Sequence, residues 1–203
     1  MNEYNRKVKR QLRKLKPEIE SWLKQTVSEH RFNHIENVAK TARRYAKKLG
    51  LDHYKAELSG WLHDCAKEFP NEKLLEIARA NNLPLDEIDL ENPHILHARV
   101  SAIVAGEKFG IDDPDVLGGI RCHTLAEPEM TEIMMVIYLA DATEPARDRR
   151  FAAPVRRILK NEGLTNAVLK TMDKKLTSLI QKGSKIHPLT IRARNWLLYA
   201  TKQ

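Results

Sequence analysis

A chain of 203 residues, 42% hydrophobic and 31% charged, is long enough for one buried core and too apolar to be disordered throughout. Its formal net charge is +8 at pH 7, yet residues 1–16 hold Arg6, Lys7, Lys9, Arg10, Arg13, Lys14 and Lys16 against the single acid Glu3, a net +6. The basic excess therefore reads as one solvated helical stripe or flexible arm, and a nucleic-acid partner is not expected. No segment approaches the ~20 apolar residues of a membrane span. Residues 1–7 lead into no apolar stretch, which argues against a secretory signal. Cys65 and Cys122 are the only cysteines and lack CxxC spacing, which fits a reducing, cytoplasmic setting. Both read as core thiols, with an oxidation-sensitive thiol beside a metal as the alternative.

In chain order, Pro17 is placed to start a helix, with Ile19, Trp22, Leu23 and Val27 at near-helical spacing. Residues 31–49 repeat the pattern through Ile35, Val38, Ala39, Ala42, Tyr45, Ala46 and Leu49, and Gly50 stops it. Asp52 can cap a third helix that runs through Ala56, Leu58, Trp61 and Leu62 into His63-Asp64. A short amphipathic helix over 71–80 precedes a loop from Asn81 to Pro93. Helices follow near 95–109, 114–124 and 131–142; Pro145 and Pro154 mark a linker, and two more helices are predicted near 164–182 and 188–201. There is no β alternation, so the fold is expected to be all-α. The simplest division is a basic N-terminal helical extension (1–24), a core domain (25–160) and C-terminal helices packed on that domain (161–203).

Against this apolar background several metal-capable side chains stand out. His63 and Asp64 are adjacent at the end of the third helix, and a carboxylate has a second oxygen free to reach another ion. His34, His97, His123 and Asp141 each occur in helix-like contexts. Asp141 is the oddest, because Val136, Ile137, Leu139 and Ala140 make its helix apolar and a lone buried carboxylate is costly without a cation or donors. Taken singly, each has a structural explanation; a histidine on a half-buried helix is more often core or surface than ligand.

The order His34, His63-Asp64, Asp141 resembles the HD-domain metal-dependent phosphohydrolases. Arg31-Phe32-Asn33-His34, Trp61-Leu62-His63-Asp64-Cys65-Ala66-Lys67, Leu96-His97, His123-Thr124 and Tyr138-Leu139-Ala140-Asp141-Ala142-Thr143-Glu144-Pro145-Ala146-Arg147 together look like the YqeK family. The match runs from about residue 25 to 160. That resemblance implies an HD-domain helical bundle with a dinuclear metal site in its core, and symmetrical cleavage of diadenosine tetraphosphate into two ADP. It implies that His34, His63, Asp64 and Asp141 hold one ion, and that Asp64 bridges to a second held by His97 and His123. Iron is the implied metal, although the mixed donors suit manganese, cobalt or nickel as well. A hydroxide bridging the ions would attack the phosphorus, and Asp64 and Lys67 are the expected catalytic groups.

Lys67, Arg31, Arg147 and Thr124 are the candidate substrate contacts. The arginines could instead pair with Glu36 or Glu144, Thr124 could cap a turn, and Glu144 could order Arg147 or a metal-bound water. His94 reads as a loop residue, and His30, His53 and His187 have no supporting context. One departure is plain: after His123-Thr124 the family continues with a second Thr and a Gly, where this chain has Leu125-Ala126-Glu127-Pro128. The alternatives are another HD phosphohydrolase, such as a nucleotidase or cyclic-nucleotide phosphodiesterase, or a non-catalytic nucleotide- or RNA-binding module. Homodimer formation stays open, since no apolar stripe identifies an interface.

Overall fold

The computed structural model describes residues 3–200, with side chains from Val8 onward. Among the described residues there are α1 (Glu3–Thr26), α2 (Glu29–Lys48), α3 (His53–Leu62), α4 (Asn71–Ala80), α5 (Glu87–Glu91), a 3-10 turn (Pro93–Leu96), α6 (His97–Phe109), α7 (Pro114–Cys122), α8 (Glu132–Thr143), α9 (Arg149–Glu162), α10 (Leu164–Gln181) and α11 (Pro188–Ala200), and no strand. Local chemistry explains most boundaries. Ser28 caps α2 through a bond from Arg31 N, Asp52 caps α3, and Asp113 followed by Pro114 opens α7. Gly110, at φ +61°, ends α6 in the left-handed conformation that glycine adopts without strain.

Helix α2 is the axis of the bundle. One face, with Ile35 and Ala39, packs into a cluster with Leu23 of α1, Leu62 of α3 and Ile120 of α7. The other, with Val38 and Ala42, joins Val136 of α8, Val168 of α10 and Leu197 of α11. The C-terminal helices thus share a core with the central ones. Where α2 crosses α3, Gly60 lets the backbones approach so closely that a Cβ built there would lie 2.6 Å from Ala39 Cα. This contact fixes the middle of α2 beside the end of α3.

Three expectations are corrected. Pro17 does not start a helix; α1 continues through it from Glu3. The missing N–H forfeits one bond to the Arg13 carbonyl, but Leu12, Leu15, Ile19 and Leu23 line one face and are buried, which offsets that loss. From Leu12 onward α1 is therefore docked, with Lys16 Nζ 3.8 Å from Glu57, and is no flexible arm. The Arg6 and Lys7 side chains lie outside the described residues. Pro154 does not mark a linker either, since it stands inside α9, whose Ala152 and Val155 are buried. Finally, the 81–93 loop contains α5, held by a capping box in which Asp86 accepts from Ile88 N and Asp89 accepts from Asp86 N.

Candidate metal centre

The six sequence-predicted donors come from five elements and meet at one place. His34 lies in the second turn of α2, His63 and Asp64 follow α3 directly, His97 opens α6, His123 follows α7, and Asp141 is in the last turn of α8. All but Asp141 are buried, and Asp141 is half-buried. The tautomers follow from their partners. Nδ1 of His63, His97 and His123 lies 2.8, 2.6 and 2.8 Å from the carbonyl oxygens of Gly60, His94 and Ile120, each three residues upstream. A carbonyl only accepts, so each Nδ1 carries the proton and each Nε2 presents a lone pair to the interior. For His34 the acceptor is Glu144 Oε1 at 3.2 Å.

These lone pairs converge on two carboxylates. His34 Nε2 is 3.3 Å from His63 Nε2, 3.2 Å from Asp141 Oδ1 and 3.7 Å from Asp64 Oδ2. His97 Nε2 is 3.3 Å from His123 Nε2, and the two lie 3.3 and 3.2 Å from Asp64 Oδ1. Asp64 thus turns one oxygen to each histidine pair. Oδ1 is buried and has no hydrogen bond of acceptable geometry. Electron-rich atoms held this close repel one another, and a cation among them reverses the sign of the interaction. The residues present therefore fit a divalent metal, and the mixed imidazole and carboxylate donors suit a transition ion.

Electrostatics points the same way. Burial, aided by the neighbouring His123 and His34, lowers His63 to about 3, and burial lowers His97 too. Burial would raise Asp64 and Asp141, yet the imidazoles around Asp64, and His34 and Arg147 beside Asp141, hold both well below the usual carboxylate range. Together these directions favour ionised carboxylates among neutral imidazoles, the protonation state that binds metal.

The cations expected around the donors are there as well. Arg31 Nη1 donates to Asp64 Oδ2 at 2.7 Å rather than pairing with Glu36, which Lys40 takes. Arg147 bonds both the Asp141 carboxylate and the Asp141 carbonyl and stays 3.9 Å from Glu144. Lys67 Nζ sits 3.3 Å from both ring nitrogens of His97. Thr124 Oγ1 is 3.0 and 3.1 Å from Nε2 of His97 and His123, so it faces the donors instead of capping a turn. Both cysteine thiols are buried and pushed up to about 12, chiefly by that burial, which favours the core-thiol reading.

Three contributions were not foreseen. Glu144, fully buried, orients His34 and also accepts from Ala146 N at 2.6 Å. Glu68 ties the first residue before α2 to the segment after the dyad, accepting from both Ser28 N and Ser28 Oγ at 2.7 Å. Lys175 of α10 reaches the Tyr138 ring, 4.1 Å from its centroid, and feels the charges of Asp141, Arg147 and Lys67. Its signal in the sequence was slight: a lysine on the same helical stripe as the buried Thr171 and Met172. At Ala126, where the family has glycine, φ is +62°. The methyl group is wholly buried, which partly offsets the strain.

Five helical elements that bring four histidines around a shared aspartate are the arrangement of an HD-domain protein. The HD domain family model matches residues 31–146. A symmetrical bis(5'-nucleosyl)-tetraphosphatase of Bacillus subtilis is 34% identical, over 87% of this chain and 94% of its own length. Its counterpart from Halalkalibacterium halodurans is 34% identical over 89% and 95%. A crystal structure of a predicted HD superfamily hydrolase involved in NAD metabolism, from Clostridium acetobutylicum, superposes with a TM-score of 0.87 at 35% identity, covering 91% of this chain and 97% of that one. The chain belongs to the HD-domain family and, within it, to the YqeK-like group in which these relatives fall.

Proposed function

We propose that the protein is a metal-dependent hydrolase that cleaves diadenosine tetraphosphate, or a related dinucleoside polyphosphate, symmetrically into two nucleoside diphosphates. The observation that carries this reading is the division of Asp64 between two histidine pairs, in a chain similar over most of its length to symmetrical bis(5'-nucleosyl)-tetraphosphatases. His34, His63, Asp64 and Asp141 would hold one ion; Asp64, His97 and His123 would hold a second. Iron is our choice for both. When bound, such ions activate water and polarise a phosphoryl oxygen.

The chain's own residues do the rest. The carbonyls of Gly60, His94 and Ile120 keep the proton on Nδ1 of their histidines, so Nε2 stays available. Lys67, lowered by burial and raised in turn by Asp64, offers its ammonium to the charge that builds up on the phosphates. Arg31 and Arg147 present planar forks suited to phosphate oxygens at the two carboxylates they flank. Thr124 can donate its hydroxyl between His97 and His123. We place the enzyme in the cytoplasm, a reading that its two unpaired buried thiols support; among the described residues no helix is long and apolar enough to cross a membrane.

The test combines metal analysis of anaerobically purified protein with chromatography of products from diadenosine tetraphosphate. ADP as the sole nucleotide product is expected, and ATP plus AMP would refute symmetrical cleavage. Asp64→Ala should lose both metal and turnover while keeping its helical content; turnover persisting in that variant would refute the mechanism.

A further inference from the structure

A cavity of about 600 Å³ opens beside the donor cluster, within the size range of small-molecule sites. It adjoins the centre at Thr124, which lines the cavity and touches His97 and His123. Ile88, Ile95, Leu125 and Leu179 give it apolar walls. Six of its lining residues lie beyond the matched HD domain, and the two lysines among them, Lys175 and Lys185, differ in kind. Lys185 is exposed and paired with Glu91. Lys175 is half-buried, with its ammonium over the Tyr138 ring and no carboxylate within ion-pair distance among the described residues. Tyr138, which also lines the cavity, has a buried hydroxyl without a hydrogen-bond partner.

A cation drawn partly out of water without a counter-ion is a poor structural element, because it loses hydration and gains no pairing. It becomes favourable when an anion docks. Lys175 lines the same cavity as Thr124, and Asp141, Arg147 and Lys67 are near enough for it to feel their charges. The apolar walls beyond it, Leu125 among them, suit a flat heteroaromatic base.

We propose that Lys175 is a substrate-binding residue contributed from outside the HD domain: its ammonium takes a phosphate of the polyphosphate, and the adjoining cavity takes the nucleoside attached to it. The proposal rests on the nucleotide substrate class inferred above and adds to it a phosphate contact and a nucleoside pocket. Lys67 and the two arginines flank the donors themselves, whereas Lys175 joins the donors to the cavity.

The experiment measures ADP and adenosine binding to the full-length, metal-loaded protein by calorimetry, for wild type, Lys175→Met and Lys175→Arg. Methionine keeps an apolar stem over Tyr138 and removes the charge; arginine keeps the charge. Lys175→Met should weaken ADP binding by about 10- to 100-fold, the worth of one hydrogen bond from a charged group, and leave adenosine binding unchanged. Lys175→Arg should recover most of the loss. Metal content, measured alongside, should match wild type in both variants. Unchanged ADP affinity in Lys175→Met would overturn the proposal, as would a loss accompanied by loss of metal or an equal loss for adenosine. A selective loss supports it even if wild type binds ADP and fails to hydrolyse diadenosine tetraphosphate, an outcome that would overturn the hydrolase reading alone.

Discussion

Replacing Gly60 with alanine tests how the packing of two helices governs the centre. A methyl group at this position would meet Ala39 Cα at 2.6 Å and Ala39 N at 2.9 Å. Comfortable carbon contacts are about 3.5–4.0 Å, so α2 must retreat by about 1 Å. Both obstructing atoms are backbone, and no rotamer change relieves the clash. Overpacking of this kind costs about 1–3 kcal/mol. The same retreat carries His34 on α2 away from His63 and Asp64, which follow Gly60 on α3. Metal–ligand distances tolerate only about ±0.2 Å, so metal retention should suffer more than the fold does. Urea unfolding of chelator-treated protein reads the first effect, and elemental analysis of the purified variant reads the second. Gly118→Ala is the control, since its methyl meets only the flexible Met134 thioether, and it should cost less than about 1 kcal/mol. If Gly60→Ala unfolded at the wild-type urea concentration and kept its full metal complement, the coupling argued here would be wrong.

Glu144→Gln should lower metal affinity by about 10- to 100-fold by weakening the support of His34; competition with a fluorescent chelator measures it, and wild-type affinity would contradict that role. Stability of the chelated protein should fall with acid. Above pH 6.5 His63 is neutral folded or unfolded and its contribution is complete; between 6.5 and about 3 only the unfolded chain takes up the proton. His63 alone then costs about 1.4 kcal/mol for each pH unit below 6.5, His97 acts in the same direction, and the depressed carboxyls of Asp64 and Asp141 add to it only below the ordinary carboxylate range. Denaturant titrations from pH 8 to about 4.5 read the slope, and a flat profile would exclude it. Cys65 and Cys122 should resist alkylation in native protein and react on unfolding, as followed by mass spectrometry; fast native labelling would contradict their burial and raised thiols.

The candidate donors were legible mainly through their order along the chain and the family pattern it resembles; taken singly, few stand where a charged or polar side chain has no ordinary reason to be. Asp141 on α8 is the clearest case. The cap at Asp52 and the stop at Gly50 placed helix ends nearly to the residue. What the sequence hid depends on distant packing. Pro17 and Pro154 look like breaks because a missing N–H is a local property, while the burial that outweighs it is not. Lys175 sits in a Lys174-Lys175 pair and looks like surface; only the packing of α10 on α8 turns it toward Tyr138. Glu68 and Ser28 are forty residues apart and reveal nothing until α2 and the segment after α3 are placed together.

The backbone tethers of the histidines bear on how readily the centre tolerates mutation. Three of the four imidazoles are aligned by a carbonyl three residues upstream, and every amino acid supplies that carbonyl. Changes at Gly60, His94 or Ile120 can shift the acceptor but cannot delete it. His34 alone relies on another side chain. As far as these tethers go, the centre is redundant at three corners and exposed at the fourth: His94 and Ile120 can vary without loss of the acceptor, Gly60 is held by its close approach to Ala39 instead, and the support of His34 is lost with the Glu144 side chain.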